Sequence, residues 1–319
     1  MGETMVLFVP DDGAPLREAR TFASYVGGAE SNVATYLAAM GTHVRWGSIL
    51  GEDPLGQRVW TELSAAGIDM SAVRWSSSSH TGVYLKDPGK SSSTVYYYRN
   101  GSAARDLDAE IWRDSRLRDA RILHTTGITA AISLGAHAAV RAGVVDGRGG
   151  AGHVSFDVNF RPTLWHGRDA GGELAELANA ADITFVGMDE AGALWGCRTV
   201  DDVRRRVPGA GTLIVKDGAK GAHAIADDSA VFVKSLTVPV VEPVGAGDAF
   251  AAGYLRGVLD GRATDSCLRM GHLLAAIALT SRGDWGTPPS TAHIERALAL
   301  DDDDWSSLSI PLTATEETR

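Results

Sequence analysis

The chain has 319 residues, of which 44% are hydrophobic and 22% charged, and a formal net charge of −10 at pH 7. This length allows one large domain with a smaller lobe, and the acidic balance argues against nucleic acid as a partner, since phosphate-backbone binding needs a surplus of Lys and Arg. The sequence shows neither an apolar run of roughly 18 residues nor a basic-then-apolar leader, and its two cysteines, Cys197 and Cys267, have no paired or metal-like spacing, so we expect a soluble, cytoplasmic protein with no membrane partner.

Short strand-like runs without crossover helices occur at residues 16–25 and 80–99. The period of two divides the end of the second run between two faces, with Val95, Tyr97 and Arg99 on one and Tyr96 and Tyr98 on the other. We predict a small separate sheet, one face of which covers a site while the other packs on a partner. Tyrosine is also a good strand residue in its own right.

Apolar, β-branched runs elsewhere are predicted to form buried strands, at residues 44–49, 122–125, 154–158, 183–186 and 213–215. Helical patterns lie between them, as in a mainly parallel sheet with helices on both faces, where ligands gather beyond the carboxyl ends of the strands. We therefore predict an α/β protein with a core (residues 1–15, 27–79 and 101–300) and a β-sheet lid (residues 16–26 and 80–100). Residues 301–319 begin with four consecutive Asp, and we expect a solvated, partly mobile tail.

A glycine-rich turn precedes a helical pattern at residues 248–259. Gly245 and Gly247 allow the backbone to turn tightly, so that the amides of Ala246, Gly247 and Asp248 are expected to be unpaired at the positive end of the helix dipole, where a phosphate binds well. An ionised Asp248 at the same place can accept the proton of an attacking hydroxyl. The turn predicts phosphoryl transfer, although one such turn is a weak signal alone.

A second signature, Gly-Gly-Ala-Glu-Ser-Asn-Val-Ala at residues 27–34, precedes a helical pattern that stops at Gly41. Together the two signatures resemble those of the ribokinase family of sugar kinases, also called the PfkB family, and the resemblance covers almost the whole chain. Within the family it is greatest to the 2-keto-3-deoxygluconate kinases. Residues 97–104 (Tyr-Tyr-Arg-Asn-Gly-Ser-Ala-Ala) and 157–165 (Asp-Val-Asn-Phe-Arg-Pro-Thr-Leu-Trp) carry that resemblance, which implies a ribokinase-like fold and a sugar acid as substrate.

The resemblance also implies which residues bind the acceptor. A 2-keto-3-deoxy acid has a carboxylate at one end and the primary hydroxyl to be phosphorylated at the other, so its site needs a cation and hydroxyl partners. The implied binding residues are Gly28, Asn32, Tyr84, Tyr97, Arg99, Arg161, Asp248 and Asp284. Asp248 would be the catalytic base, and Arg161 would also stabilise the transferring phosphoryl group. Taken singly, Asn32 would most often be a helix-start cap and Tyr84 a strand residue.

ATP and Mg2+ are the implied cofactors. The residues that the resemblance places around ATP are Lys216, Gly218, Gly221, Gly245, Ala246 and Gly247. Glu190 resembles the family Glu that holds Mg2+ through water, although Gly187 stands where the family has Asn. Because Glu242 replaces the usual Asp and Val244 the usual Thr, a monovalent cation near that loop stays open.

The implied reaction is ATP-dependent phosphorylation of 2-keto-3-deoxygluconate to its 6-phosphate, with the small sheet closing as a lid. Exposed lid strands would also pair subunits into a homodimer or larger assembly. Alternatives are a kinase for the galactonate epimer or for a neutral sugar such as fructose or ribose and, in another class, a catalytically silent regulator that binds a sugar acid. Arg99 argues against a neutral sugar, and Asp248 argues against the regulator.

The pair Gly2-Glu3 follows Met1 directly. Because the resemblance implies a full strand before this pair, we also expect the natural start to lie upstream of Met1.

Overall fold

A computed structural model describes residues 1–89, 93–227, 229–281 and 286–308 of the chain. The strands are β1 (Met5–Pro10), β2 (Phe22–Gly27), β3 (Ile49–Gly51), β4 (Arg74–Ser76), β5 (Val83–Asp87), β6 (Thr94–Tyr98), β7 (Ile122–Thr126), β8 (His153–Asp157), β9 (Ile183–Gly187), β10 (Thr212–Lys216), β11 (Gly221–Ala226) and β12 (Ser229–Lys234). The helices are α1 (Ala29–Ala39), α2 (Pro54–Ala65), α3 (Gly127–Ile132), α4 (Leu134–Val144), α5 (Ala170–Ala180), α6 (Met188–Trp195), α7 (Val200–Arg206), α8 (Ala246–Leu259), α9 (Thr264–Leu279), α10 (Thr291–Leu298) and α11 (Asp302–Ser307). Short 3-10 helices occupy Ala103–Asp106, Ala109–Arg113, Ser115–Leu117, Pro162–Leu164 and Gly218–Lys220.

The chain divides into two units, each formed by several segments. The first unit contains Met1–Thr35, His43–Val154 and Arg161–Gly167. The second unit contains Tyr36–Thr42, Ser155–Phe160 and Arg168–Arg319.

The predicted small sheet is present in the first unit, with strand order β2-β1-β5-β6. β1 pairs antiparallel with β2 and parallel with β5, and β5 pairs antiparallel with β6. The sequence predicts residues 1–15 in the core, whereas β1 lies inside this sheet. The reason is its period of two, which buries Met5 and Leu7 against Tyr84, with Val95 packed at the edge of the cluster.

The predicted strand at residues 44–49 is wrong for most of its length. β3 begins only at Ile49 and pairs in parallel with β4, while Arg45 forms one isolated bridge with Asp69. Trp46 and Ile49 are buried, whereas Val44 is half-buried, and the hydrogen bonds of this stretch are irregular: the Ser48 hydroxyl donates to the Gly2 carbonyl at 2.7 Å. An apolar run can therefore be buried without forming the regular hydrogen-bond ladder of a β-strand.

In the second unit, strands β12, β11, β10, β9 and β8 are neighbours in that order. β8, β9 and β10 are parallel, which confirms the predicted strands there, and β7 of the first unit confirms the one at residues 122–125. The antiparallel strands β11 and β12 extend the sheet. Parallel strands in register bring the residues that end them, Asp157, Gly187 and Lys216, to one edge.

Helices α8 and α9 of the second unit pack on each other and on the sheet. The Phe250 ring of α8 meets His272 of α9 edge to face, with 5.1 Å between ring centroids, and lies 6.5 Å from Phe185 of β9. Both cysteines are buried and free. Of the helices in the described ranges, none is both long and apolar enough to span a bilayer.

The start of the predicted acidic tail is a docked helix, contrary to our expectation. Trp305 of α11 is 1% exposed, its indole N–H donates to the Lys234 carbonyl at 2.9 Å, and the Arg269 guanidinium lies 5.0 Å from its ring centroid. One buried indole anchors the acidic turn, because it removes a large apolar area from water. Residues 309–319 lie outside the described residues.

Candidate active site

The glycine-rich turn leads directly into α8. Gly245 has a φ of +85°, and the helix begins at Ala246, two residues earlier than predicted. The Ala246 amide, expected to be unpaired, makes a long 3.4 Å bond to the Pro243 carbonyl. Asp248 is half-buried in the first turn of the helix, so its carboxylate lies at the positive end of the dipole.

Lys216, at the end of β10, faces this turn. Its Nζ lies 2.8 Å from Oδ2 of Asp157, whose side chain is only 3% exposed. Burial by itself would lower the pKa of Lys216, but the Asp157, Glu190 and Asp248 carboxylates raise that pKa above its ordinary value. A methyl group added to Gly247 would lie 3.5 Å from the same Nζ. The second unit therefore brings Lys216, Glu190 and the turn together around one ammonium group.

Glu190 and the turn after β10 complete the predicted nucleotide side of the site. The Glu190 carboxylate accepts the Gly187 amide at 2.9 Å, at the start of α6. Gly218 and Gly221 both have positive φ, +53° and +146°, and the Gly221 carbonyl accepts the Asp217 amide at 2.8 Å. Within the described ranges, no group of three or more His, Cys, Asp or Glu side chains could hold a metal ion.

Asn159 is a residue that the sequence interpretation did not assign a role. It is 5% exposed, has a φ of +36°, and its side-chain Oδ1 has no partner in the described part of the protein. Its amide donates to Asp157 Oδ1 at 3.1 Å. A buried, unpaired acceptor in a left-handed backbone is costly, so we infer a ligand contact. In the sequence Asn159 is marked only as a polar residue just after a buried strand, which is a weak signal.

In the first unit, the signature turn brings Gly28 and Asn32 together. The Gly28 amide donates to Asn32 Oδ1 at 3.4 Å, and Asn32 is 4% exposed. A side chain at position 28 would collide with the Glu3 carbonyl. Asn32 lies inside α1 rather than at its cap position, although its side chain accepts an amide at the helix start, and its predicted contact with a ligand stays a prediction.

The predicted aromatic face of the small sheet is also present. Tyr84 and Tyr97 are cross-strand partners whose rings stack at 5.7 Å between centroids, and the Arg99 guanidinium lies 5.8 Å from the Tyr97 centroid. Arg99 is 6% exposed and forms an ion pair with the buried carboxylate of Glu3. Among the described residues its Nε–H has no acceptor. On the opposite face, Tyr96 and Tyr98 are exposed, as predicted.

Two further predicted site residues are Arg161 and Asp284. Arg161 is exposed and precedes the 3-10 helix Pro162–Leu164 in the first unit. Asp284 lies outside the described residues. The roles of both stay predictions.

Comparison with known proteins agrees with this chemistry. The family model described as pfkB family carbohydrate kinase matches residues 1–290. The 2-dehydro-3-deoxygluconokinase of Bacillus subtilis (strain 168) is 34% identical over 304 residues, which cover 93% of this chain and 94% of that enzyme.

Solved structures show the same similarity. The PfkB protein of Polaromonas sp. JS666 has a TM-score of 0.81 and 35% identity, covering 92% of this chain and 97% of that one. An uncharacterized sugar kinase of Pyrococcus horikoshii, solved in complex with ATP, has a TM-score of 0.78 and 26% identity, covering 90% and 93%. The chain belongs to the pfkB family and is a carbohydrate kinase with a ribokinase-like α/β fold.

Proposed function

We propose that this kinase transfers the γ-phosphoryl group of ATP to the primary hydroxyl of 2-keto-3-deoxygluconate, also called 2-dehydro-3-deoxygluconate. The observation that carries the proposal is Arg99, a buried guanidinium beside two stacked tyrosines whose Nε–H lacks an acceptor among the described residues. The name of the Bacillus subtilis relative supports the same substrate.

The acceptor chemistry follows from the cost of that unpaired donor. A buried N–H without a partner loses the free energy of its hydration, and a substrate carboxylate would restore it through a charge-assisted hydrogen bond. Tyr84 and Tyr97 would lie along the sugar, with Tyr97 half exposed to receive it. A neutral sugar offers no such charge, so the first unit favours an acid.

The transfer chemistry belongs to the second unit. The acceptor hydroxyl would give its proton to Asp248 while its oxygen forms a bond to the γ-phosphorus, and the bond to the bridging oxygen of ADP would break. Lys216 would place a positive charge beside the glycine turn, where negative charge accumulates during transfer. We assign Gly218 and Gly221 to nucleotide binding because they follow β10. We also assign the buried Asn159 as a further contact with a ligand.

Mg2+ is the divalent ion that we propose for this site. It prefers hard oxygen ligands and keeps several waters, and the carboxylates around Lys216 supply such oxygens, although within the described part of the chain they form no direct cage. Glu190 would hold the ion through water, and the bound ion would neutralise phosphate charge. A monovalent cation is not part of the proposal, because the Glu242 carboxylate accepts the Val244 amide of its own loop at 3.1 Å.

We also propose a homodimer or larger assembly through the small sheet. Tyr96 and Tyr98 are 46% and 61% exposed on its outer face, and paired aromatic faces are common in interfaces. Light scattering of the wild-type protein and of a Tyr98→Lys variant measures the oligomeric state. A monomer at micromolar concentration would contradict it.

One assay tests the substrate: coupled ADP release with 2-keto-3-deoxygluconate, its galactonate epimer, fructose and ribose. We expect the highest kcat/KM for 2-keto-3-deoxygluconate. The epimer is the second candidate, since a Haloferax volcanii relative, 28% identical, is a 2-dehydro-3-deoxygalactonokinase. Preference for fructose or ribose would contradict an acid substrate, and sugar-acid binding without ADP release would indicate a regulator.

A further inference from the structure

We propose that Glu3 is a positioning residue that fixes the Arg99 guanidinium for the substrate carboxylate, and so helps the enzyme to select sugar acids over neutral sugars. The inference rests on the proposed function. It depends on one juxtaposition in the first unit, in which the carboxylate of Glu3 lies against Arg99 while its main-chain carbonyl lies against Gly28.

The side chain of Glu3 is held at both oxygens. Arg99 Nη2 donates to Oε2 and the Ser102 hydroxyl donates to Oε1, and all three residues are at least nine-tenths buried. The Ser102 amide in turn donates to the Arg99 carbonyl at 3.1 Å. This closed network holds one part of the guanidinium and leaves the Nε–H without an acceptor among the described residues.

The space around Glu3 leaves it little freedom. A methyl group on Gly82 would lie 3.2 Å from Glu3 Oε1 and 2.9 Å from Met5 Cγ. On the other side the Glu3 carbonyl blocks any side chain at Gly28, whose amide bonds to Asn32. One residue thus touches both the signature turn and the arginine, the two parts of the first unit that we assign to the acceptor.

Charge and orientation make opposite predictions for this residue. If Glu3 acted only through its charge, it would repel a substrate carboxylate, and its removal would strengthen acid binding. If it orients Arg99, its removal lets the planar guanidinium leave the geometry that suits a carboxylate, and acid binding weakens. The sign of the change in the Michaelis constant for the sugar acid therefore separates the two roles.

The experiment is a double-mutant cycle with Glu3→Gln and Arg99→Ala in the full-length enzyme. We expect Glu3→Gln to raise the Michaelis constant for the sugar acid about tenfold, as for loss of one charged hydrogen bond, and that for ATP less than about twofold. In the Arg99→Ala background, Glu3→Gln should change the Michaelis constant for the sugar acid less than about twofold, because the guanidinium that Glu3 orients is gone. Glu62→Gln, which removes an exposed partner of Arg58, is the matched control.

Two outcomes would overturn the inference: an unchanged or lower Michaelis constant for the acid in Glu3→Gln, or the full effect persisting without Arg99. Should Glu3→Gln fail to fold, Ser102→Ala removes only the hydroxyl that holds Oε1. It should raise the same constant about threefold, less than Glu3→Gln because Arg99 still holds Oε2, and that for ATP less than about twofold; an unchanged constant for the acid would equally overturn the inference. Wild-type enzyme that phosphorylates no sugar acid would instead contradict the proposed function.

Discussion

Lys216 and Asp157 form an ion pair at the ends of β10 and β8, with Nζ 2.8 Å from Oδ2. Strand β9 lies between those two strands and ends opposite Lys216 at Gly187. The ion pair therefore spans one strand, and the Asp157 carboxylate at the end of β8 holds the Lys216 ammonium group in place. If this site binds the nucleotide as we propose, a cation held by the sheet beside the Gly247 turn would already be in position for phosphate, and little ordering would be needed on binding.

Replacing Asp157 with Asn should destabilise the protein by about 3 kcal/mol, because it leaves a largely buried Lys216 charge short of its partner. The pKa of Lys216 is raised in the folded protein. The stabilisation that its charge gains from Asp157 is therefore complete below the pKa of an unfolded lysine, about 10.4, and is lost as pH rises through the pKa of Lys216 in the folded protein. Urea unfolding from about pH 7 to 11 should show the difference between wild type and variant narrowing above about pH 10.4.

Asp217→Asn is the control for this pair. It removes the partner of Lys220, which is 3.0 Å away but has a side chain 78% exposed, so the expected loss is below about 1 kcal/mol. Equal losses in the two variants, or a difference for Asp157→Asn that does not vary with pH, would show that burial of the Lys216 charge is unimportant.

Alanine at Gly245 and at Gly247 should separate the folding role of the turn from its chemical role. Gly245→Ala forces a side chain into a φ of +85° and should cost about 1–2 kcal/mol of stability. Gly247→Ala meets only Lys216 Nζ, at 3.5 Å, so stability should hold while kcat/KM for ATP falls at least about tenfold through phosphate misplacement. A fully active Gly247→Ala enzyme would mean that no phosphate approaches there.

Asp248→Asn should lower turnover by at least about a hundredfold, the usual effect of removing a general base, while calorimetry shows sugar-acid binding mostly intact. Asp260→Asn is the matched control, since Asp260 caps the far end of the same helix and pairs with Arg256 at 3.1 Å. Near-normal turnover in the Asp248 variant would remove Asp248 as the base.

The glycine-rich turn and the helix after it could be predicted because their signals are local. The turn, the helix and Asp248 lie within a few residues of each other, and apolar, β-branched runs located the ends of β8, β9 and β10 to within about one residue. Asn159 was missed because its backbone φ and unpaired Oδ1 are properties of the folded chain. A polar residue in a sequence does not show whether folding leaves it a partner.

Long-range contacts account for the other differences. Glu3 and Arg99 are 96 positions apart, so the sequence could indicate a cation for the substrate but not the carboxylate that holds it. The acidic run at residues 301–304 predicts solvation, yet the Trp305 indole N–H donates a hydrogen bond to the Lys234 carbonyl, 71 positions away. Patterns predict elements well, whereas a single anchoring contact is decided by the fold.

His272 should make the protein sensitive to mild acid. Its ring is buried against Phe250, its Nε2 lies 3.1 Å from the Val233 carbonyl, and burial lowers its pKa to about 4. An unfolded histidine titrates near 6.5, so the stability that neutral His272 provides is complete above about pH 6.5 and is lost as pH falls toward 4, by about 3 kcal/mol in all.

Urea unfolding between about pH 7 and 4 should show wild type losing that much more than His272→Gln, which keeps a donor but does not titrate. His293→Gln, at an exposed histidine, should follow wild type, and parallel curves for His272→Gln and wild type would mean that His272 does not titrate on unfolding.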